Sequence, residues 1–261
     1  MNTPDVKYSM VDPNELKKCN EIDPINKAVH FLNSCFEEEL YYDFLCIISD
    51  DYTNDVNKYH YKLDDDDSNG IFIPTFYQKN TNEKNIVIIN WSKITKKPND
   101  EKFIISVFVH EFIHFLDYRM CPELENKFKI KFSKDIKRNS LDDVIGGYFE
   151  HRSEMIAKYF QEKYEYVDNN SKEYIIKQIN INRTIIKSAD ETKNIAYLTG
   201  QFLCWKELAE DDDDILSALH VVEEQLNLIW ELRPDYRIDN IFTKESFIDK
   251  CNELYKIFTN K

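Results

Sequence analysis

Between Val107 and Asp117 the chain reads Val-Phe-Val-His-Glu-Phe-Ile-His-Phe-Leu-Asp, and this stretch limits what the rest can fold into. Apart from His110, Glu111, His114 and Asp117, every position in it is apolar. A helix that is apolar nearly all round is a buried helix, so the fold has to wrap it. At 3.6 residues per turn, His110 and His114 stand one turn apart on a single face. Polar side chains on such a helix need partners, because an unpaired polar group in a core costs roughly 2–7 kcal/mol. One metal ion would partner both imidazoles, and Glu111 beside them would reach a water on that ion. With 6 histidines in the chain, H-E-x-x-H arises by chance in roughly one in a hundred such sequences. The plainer alternative is two core histidines satisfied by hydrogen bonds.

A catalytic zinc takes three protein ligands and a water, and the motif supplies two of the three. The continuation with a glycine and a third histidine just downstream is excluded, because those positions hold Asp117 and Met120. A carboxylate from a later helix is the other route. Glu154 is the choice here, since apolar Met155, Ile156, Ala157 and Phe160 follow it on a core-facing helical stretch. Glu150 and His151, one turn earlier, compete for the role. Alternatively, Glu154 pairs with Arg152 or a lysine at a helix surface.

His110-Glu111-Phe112-Ile113-His114-Phe115-Leu116-Asp117 resembles the H-E-F-x-H-x-h-D stretch of Glu-zincin metallopeptidases, both the MtfA type and the catalytic domain of anthrax lethal factor. Those families take their third ligand from an E-h-h-A helix some tens of residues later. Glu154-Met155-Ile156-Ala157 is similar to it, and Phe160 fits the apolar position that follows. The resemblance covers roughly residues 85–165 and is carried by these two motifs. It implies one zinc per chain on His110, His114 and Glu154, with Glu111 as general base. It also implies a tyrosine seven residues before the ligand glutamate as a transition-state stabiliser. Gly147 stands there in this chain, with Tyr148 one residue on, so Tyr148 and His151 are both candidates for that role.

The function expected from this is a zinc-dependent endopeptidase acting on a protein or peptide substrate. Zinc would lower the pKa of its water toward ~7 and polarise the scissile carbonyl. Glu111 would take the water proton and pass it to the leaving amine. Asp117, one turn after His114, could orient a ligand histidine, or else pair with an N–H or with Arg119. Two other classes remain: a zincin-fold regulatory or binding protein with structural zinc, and a helical interaction protein whose H-E-x-x-H is accidental. The intact Glu111 argues against the first, since a structural site needs no base. The second predicts a chain that binds no zinc.

The expected fold is α+β and zincin-like: a small mixed sheet packed on the H-E-x-x-H helix, then a mostly helical C-terminal part. Residues 1–22 are polar, with Pro4 and Pro13, and read as an extended arm. Residues 23–168 read as the catalytic domain and 169–261 as a helical subdomain. Asp23-Pro24 starts a helix that the apolar spacing carries to about Tyr41. Phe44 to Ile48 reads as a buried strand or a continuation of that helix. The four aspartates from Asp64 to Asp67 lead into a loop without the order of a calcium site. Pro74 confines the run Ile71–Tyr77 to a sheet edge, where an extended peptide could add as a further strand. Ile86–Trp91, apolar except at Asn90, reads as an inner strand. The motif helix should span about Asp100 to Arg119. A short basic helix is expected over 123–139. Another helix starts at Ser140, with an interruption at Gly146-Gly147, and four more cover 171–187, 190–210, 213–232 and 243–259. Trp205 and Trp230 read as core.

A net charge of −14 argues against a nucleic-acid partner. The 6 cysteines are scattered without C-x-x-C, as expected of reduced, buried thiols in a cytoplasmic-type compartment. No secretory leader or membrane-spanning run is visible.

Overall fold

Ile86-Val87-Ile88-Ile89 is apolar at every position, and a strand of that kind has to be covered on both faces. In a computed structural model of the chain it lies inside a four-stranded sheet. The structure describes residues 2–60, 68–79, 84–96, 100–120, 140–169, 172–186, 192–209, 212–232, 237 and 240–259. They divide into two compact units, Met1–Lys137 and Arg138–Lys261. The expected α+β class, with a small mixed sheet, holds.

The first unit contains β1 (Asp5–Ser9), α1 (Pro13–Ile22), α2 (Pro24–Cys35), β2 (Phe44–Ser49), α3 (Tyr52–Tyr59), β3 (Gly70–Ile73), β4 (Asn85–Asn90), the short α4 (Trp91–Ile94) and α5 (Glu101–Met120). The sheet order is β1-β2-β4-β3. β1, β2 and β4 are parallel, and β3 runs antiparallel to β4 at the edge. On one face Ile47, Ile73, Ile86 and Ile88 pack with Tyr52 and Val56 of α3. On the other, Phe44 meets Phe112 and Phe115 of α5, with ring centroids 5.0 and 4.6 Å apart. α5 is thus the buried helix its composition requires. Its N-terminus is capped by Asp100, whose Oδ1 accepts from the Phe103 N–H at 3.1 Å.

Residues 1–22 are a correction to the expected arm, since they hold β1 and α1. Asp12 caps α1 and Pro13 fills its first turn, the same Asp-Pro signal that opens α2. Between the two helices Asp23 takes a left-handed conformation at φ 51°. α2 ends at Cys35, short of Tyr41, because Phe36 turns extended and Glu37, Glu38 and Glu39 follow. Three acids at a helix C-terminus oppose its dipole. Phe36 and Leu40 are nevertheless buried. Phe44–Ser49 is a strand, and β3 stops at Ile73, where Pro74 leads into a 3₁₀ turn over Thr75–Tyr77.

The second unit is helical in its described residues: α6 (Ser140–Asn169), α7 (Lys172–Ile186), α8 (Thr192–Ala209), α9 (Asp213–Leu232) and α10 (Lys244–Thr259). α6 runs unbroken through Gly146-Gly147, where an interruption was expected. It also belongs to this unit, which places Glu154 outside the unit that holds the motif helix. Ile175, Ile179, Phe202, Trp205, Leu219, Leu226 and Trp230 share one core, as expected of both tryptophans. Glu162 is buried in this unit, where it accepts from Gln201 Nε2 at 2.7 Å and Trp205 Nε1 at 3.2 Å and pairs with Lys158 at 2.9 Å.

The aspartates 64–67 and the helix expected over 123–139 lie outside the described residues. The described cysteines are free thiols. No helix of the described residues is long and apolar enough to cross a membrane.

Candidate metal centre

α5 puts Phe108, Phe112 and Phe115 into the core and leaves His110 and His114 half-buried. Their Nε2 atoms stand 3.1 Å apart, with ring planes crossed at 80°. Two nitrogens on one tetrahedral zinc, each ~2.05 Å from it, are separated by about 3.3 Å. The pair therefore fits a shared ion with little adjustment. It also fits a shared proton between two neutral rings. Among the described residues, His110, His114 and Glu150 are a group that could hold a metal ion.

Glu111 is buried, at 5 % exposure. Its carboxylate lies against the first residue of β3: a Cβ built on Gly70 would stand 2.9 Å from both Cγ and Oε1 of Glu111. Two residues further along, the Phe72 ring faces Phe115 and Tyr118, at 6.2 and 5.6 Å. One turn of α5 thus matches two residues of β3. The Asn90 N–H donates to the Asn69 carbonyl at 2.9 Å. Pairs alternate along an antiparallel ladder, so Ile71 and Ile73 bond to β4 while the N–H and C=O of Gly70 and Phe72 face the outer edge. Cys46 lies behind the site: burial, then the charges of Cys19 and Glu111, push its thiol well above the ordinary range.

Asp117 is fully buried on the same stripe of α5 as the two histidines. Arg119, one alternative partner for it, donates to the Tyr41 carbonyl at 3.0 Å and lies 5.3 Å over the Tyr41 ring.

On α6, Glu150 is exposed and Glu154 half-buried. Four residues apart, they share a face. Arg152 does not occupy that face. It is fully buried, donates to the Ile241 carbonyl at 2.7 Å and stands 4.9 Å over the Phe247 ring. Tyr148 stacks on the same Phe247, with centroids 5.9 Å apart and planes at 17°. Around the helix Tyr148 points roughly 160° from Glu150 and 120° from Glu154. His151, buried at 2 % exposure, is only about 60° from Glu154.

Gly70 is the residue the sequence reading missed. Asn69-Gly70 reads as the end of a loop, and nothing local says that the glycine meets a carboxylate on a helix some forty residues on. Comparison of the chain with protein-family models, with curated proteins and with solved structures found no match.

Proposed function

We propose that the chain is a zinc-dependent endopeptidase of the Glu-zincin kind, hydrolysing a bond in a peptide segment held extended along β3. The observation that carries this is the convergence of the His110 and His114 imidazoles on one face of a buried helix, with the Glu111 carboxylate turned toward an edge strand. A mixed sheet whose antiparallel edge lies along the H-E-x-x-H helix supports the zincin-like reading of the fold.

His110 and His114 would hold the metal, with Glu150 or Glu154 as third ligand. Two imidazoles and one carboxylate are a zinc set with a position left for water. Bound there, zinc would supply a water acidic enough to ionise near neutral pH and a Lewis acid for the substrate carbonyl. Glu111 accepts the proton of the attacking water and delivers it to the departing amine. The outward N–H and C=O groups of Gly70 and Phe72 hold the substrate backbone by strand addition, which selects extended segments over helical ones. His151, on the Glu154 side of α6, is favoured over Tyr148 as donor to the developing oxyanion, a role worth roughly 3 kcal/mol when filled.

The test is zinc content by elemental analysis in the wild type, Glu150→Ala and Glu154→Ala, with cleavage of a peptide library scored against Glu111→Gln. One zinc per chain, lost in one of the two glutamate variants, together with cleavage abolished in Glu111→Gln, supports the proposal. A wild type that takes up no zinc when it is supplied overturns it.

A further inference from the structure

Resting on that reading, we propose that Gly70 is the positioning residue for Glu111: the side chain it lacks is the space in which the base sits. The backbone gives no other reason for a glycine here. Among the described residues no glycine has a positive φ, so any L residue could take the Gly70 conformation. The constraint is contact alone. A Cβ at this position would meet Glu111 at Cγ and Oε1, both at 2.9 Å, and at Cδ, at 3.0 Å. Real Cβ atoms do not come that close to heavy atoms, so one side must yield.

β3 is the less able to yield. Ile71 and Ile73 on either side of Phe72 are tied to Ile88 and Ile86 of β4, and Phe72 is packed on Phe115 and Tyr118. The end of the Glu111 side chain is the softer partner. Adding one methyl group therefore turns the carboxylate away from the sheet edge and leaves the backbone of α5, and with it His110 and His114, in place. Gly70 is also one of the two residues whose N–H and C=O face outward along β3. The same position that receives the substrate backbone thus sets where the base stands relative to it. A displacement of about 1 Å at a catalytic group costs on the order of a hundredfold in rate.

The experiment compares Gly70→Ala with the wild type, Glu111→Ala and the double variant, in two measurements. In the metal-free proteins, the melting temperature of Gly70→Ala falls by about 3–6 °C below the wild type, while the same change made in Glu111→Ala moves it by no more than about 1 °C. In the zinc-loaded proteins, Gly70→Ala keeps its full metal content and its KM within about twofold, and loses roughly a hundredfold in kcat. An equal fall in melting temperature with and without the Glu111 side chain overturns the proposed contact. So does wild-type kcat in Gly70→Ala, provided Glu111→Gln is dead. If the wild type and Glu111→Gln are alike in activity, the peptidase reading fails instead, and the metal-free cycle still decides the contact.

Discussion

Gly200 of α8 lies so close to Met155 of α6 that a Cβ on it would stand 2.3 Å from the Met155 carbonyl oxygen. The obstacle is helix backbone, which cannot swing aside as a side chain can. Gly200→Ala should therefore push two helices of the second unit apart and destabilise it by about 3 kcal/mol or more. Denaturant unfolding followed by tryptophan fluorescence checks this, since Trp205 and Trp230 both report on that core.

Glu162 accepts from two buried donors, Gln201 and Trp205. Replacing it by alanine removes the acceptor shared by both donors and the carboxylate paired with the partly buried Lys158. We expect a loss of about 2–4 kcal/mol, with a smaller loss for Glu162→Gln, which keeps an acceptor oxygen. Urea titrations of the two variants rank the losses. Equal losses would mean that the lost charge, rather than the lost acceptor, sets the cost.

Asp55, buried on α3, accepts from Ser49 Oγ at 2.6 Å and from Lys58 Nζ at 2.6 Å. Burial works to raise its pKa, but hydrogen bonds from Lys58, Ser49 and Ser9 and the Lys58 charge outweigh it and hold the carboxyl below its usual range. A depressed carboxylate stabilises the fold at pH above its unfolded pKa of ~3.9, and that contribution is lost as pH falls through the folded value. Ser49→Ala should therefore cost about 1–2 kcal/mol at pH 7 and markedly less near pH 3. Thermal melts of both proteins across that range measure the difference.

Zinc added to the metal-free wild type should raise its melting temperature in proportion to the logarithm of free zinc, by an amount equivalent to about 2.7 kcal/mol at a hundred times Kd. His110→Ala and His114→Ala should abolish the rise. Protons compete with metal for imidazole nitrogens, so the zinc-linked rise should shrink as the pH is lowered below about 6. A rise that persists in both histidine variants places the metal elsewhere in the chain.

The parts of the fold that were legible in the sequence are those with an unmistakable period or punctuation. Ile86–Ile89 reads as an inner strand because nothing polar interrupts it, and Pro74 marks its run as an edge, although the strand itself stops at Ile73, short of the expected Tyr77. α5 is legible from its apolar flanks and its Asp100 cap. β1 is not, because an outer parallel strand of Asp-Val-Lys-Tyr-Ser carries no run of core residues, and Val6 and Tyr8 remain exposed. The end of α2 was hidden because Phe36 and Leu40 keep a helical spacing while serving the core from extended chain. At the site, His110, Glu111 and His114 follow from spacing alone. Glu150 and Glu154 share one face of one helix, so helical spacing alone does not separate them as candidate ligands. Gly70 depends on which strand lies beside α5, which only the folded chain decides.

β4 carries isoleucine or valine on both of its faces, so hydrophobicity alone gives it almost no preference for one alignment over the next. What fixes its alignment is polar and sits at its end. Asn90 accepts from the Lys93 N–H through its side chain, donates to the Ser68 carbonyl, and bonds through its own N–H to Asn69. Were β3 to slide by one residue along its partner, Asn69 or Ile71 would come to face Glu111, and either brings a Cβ into the space the carboxylate fills. An asparagine at the end of a strand thus acts as the index mark that decides which residue meets a carboxylate on a helix it does not belong to.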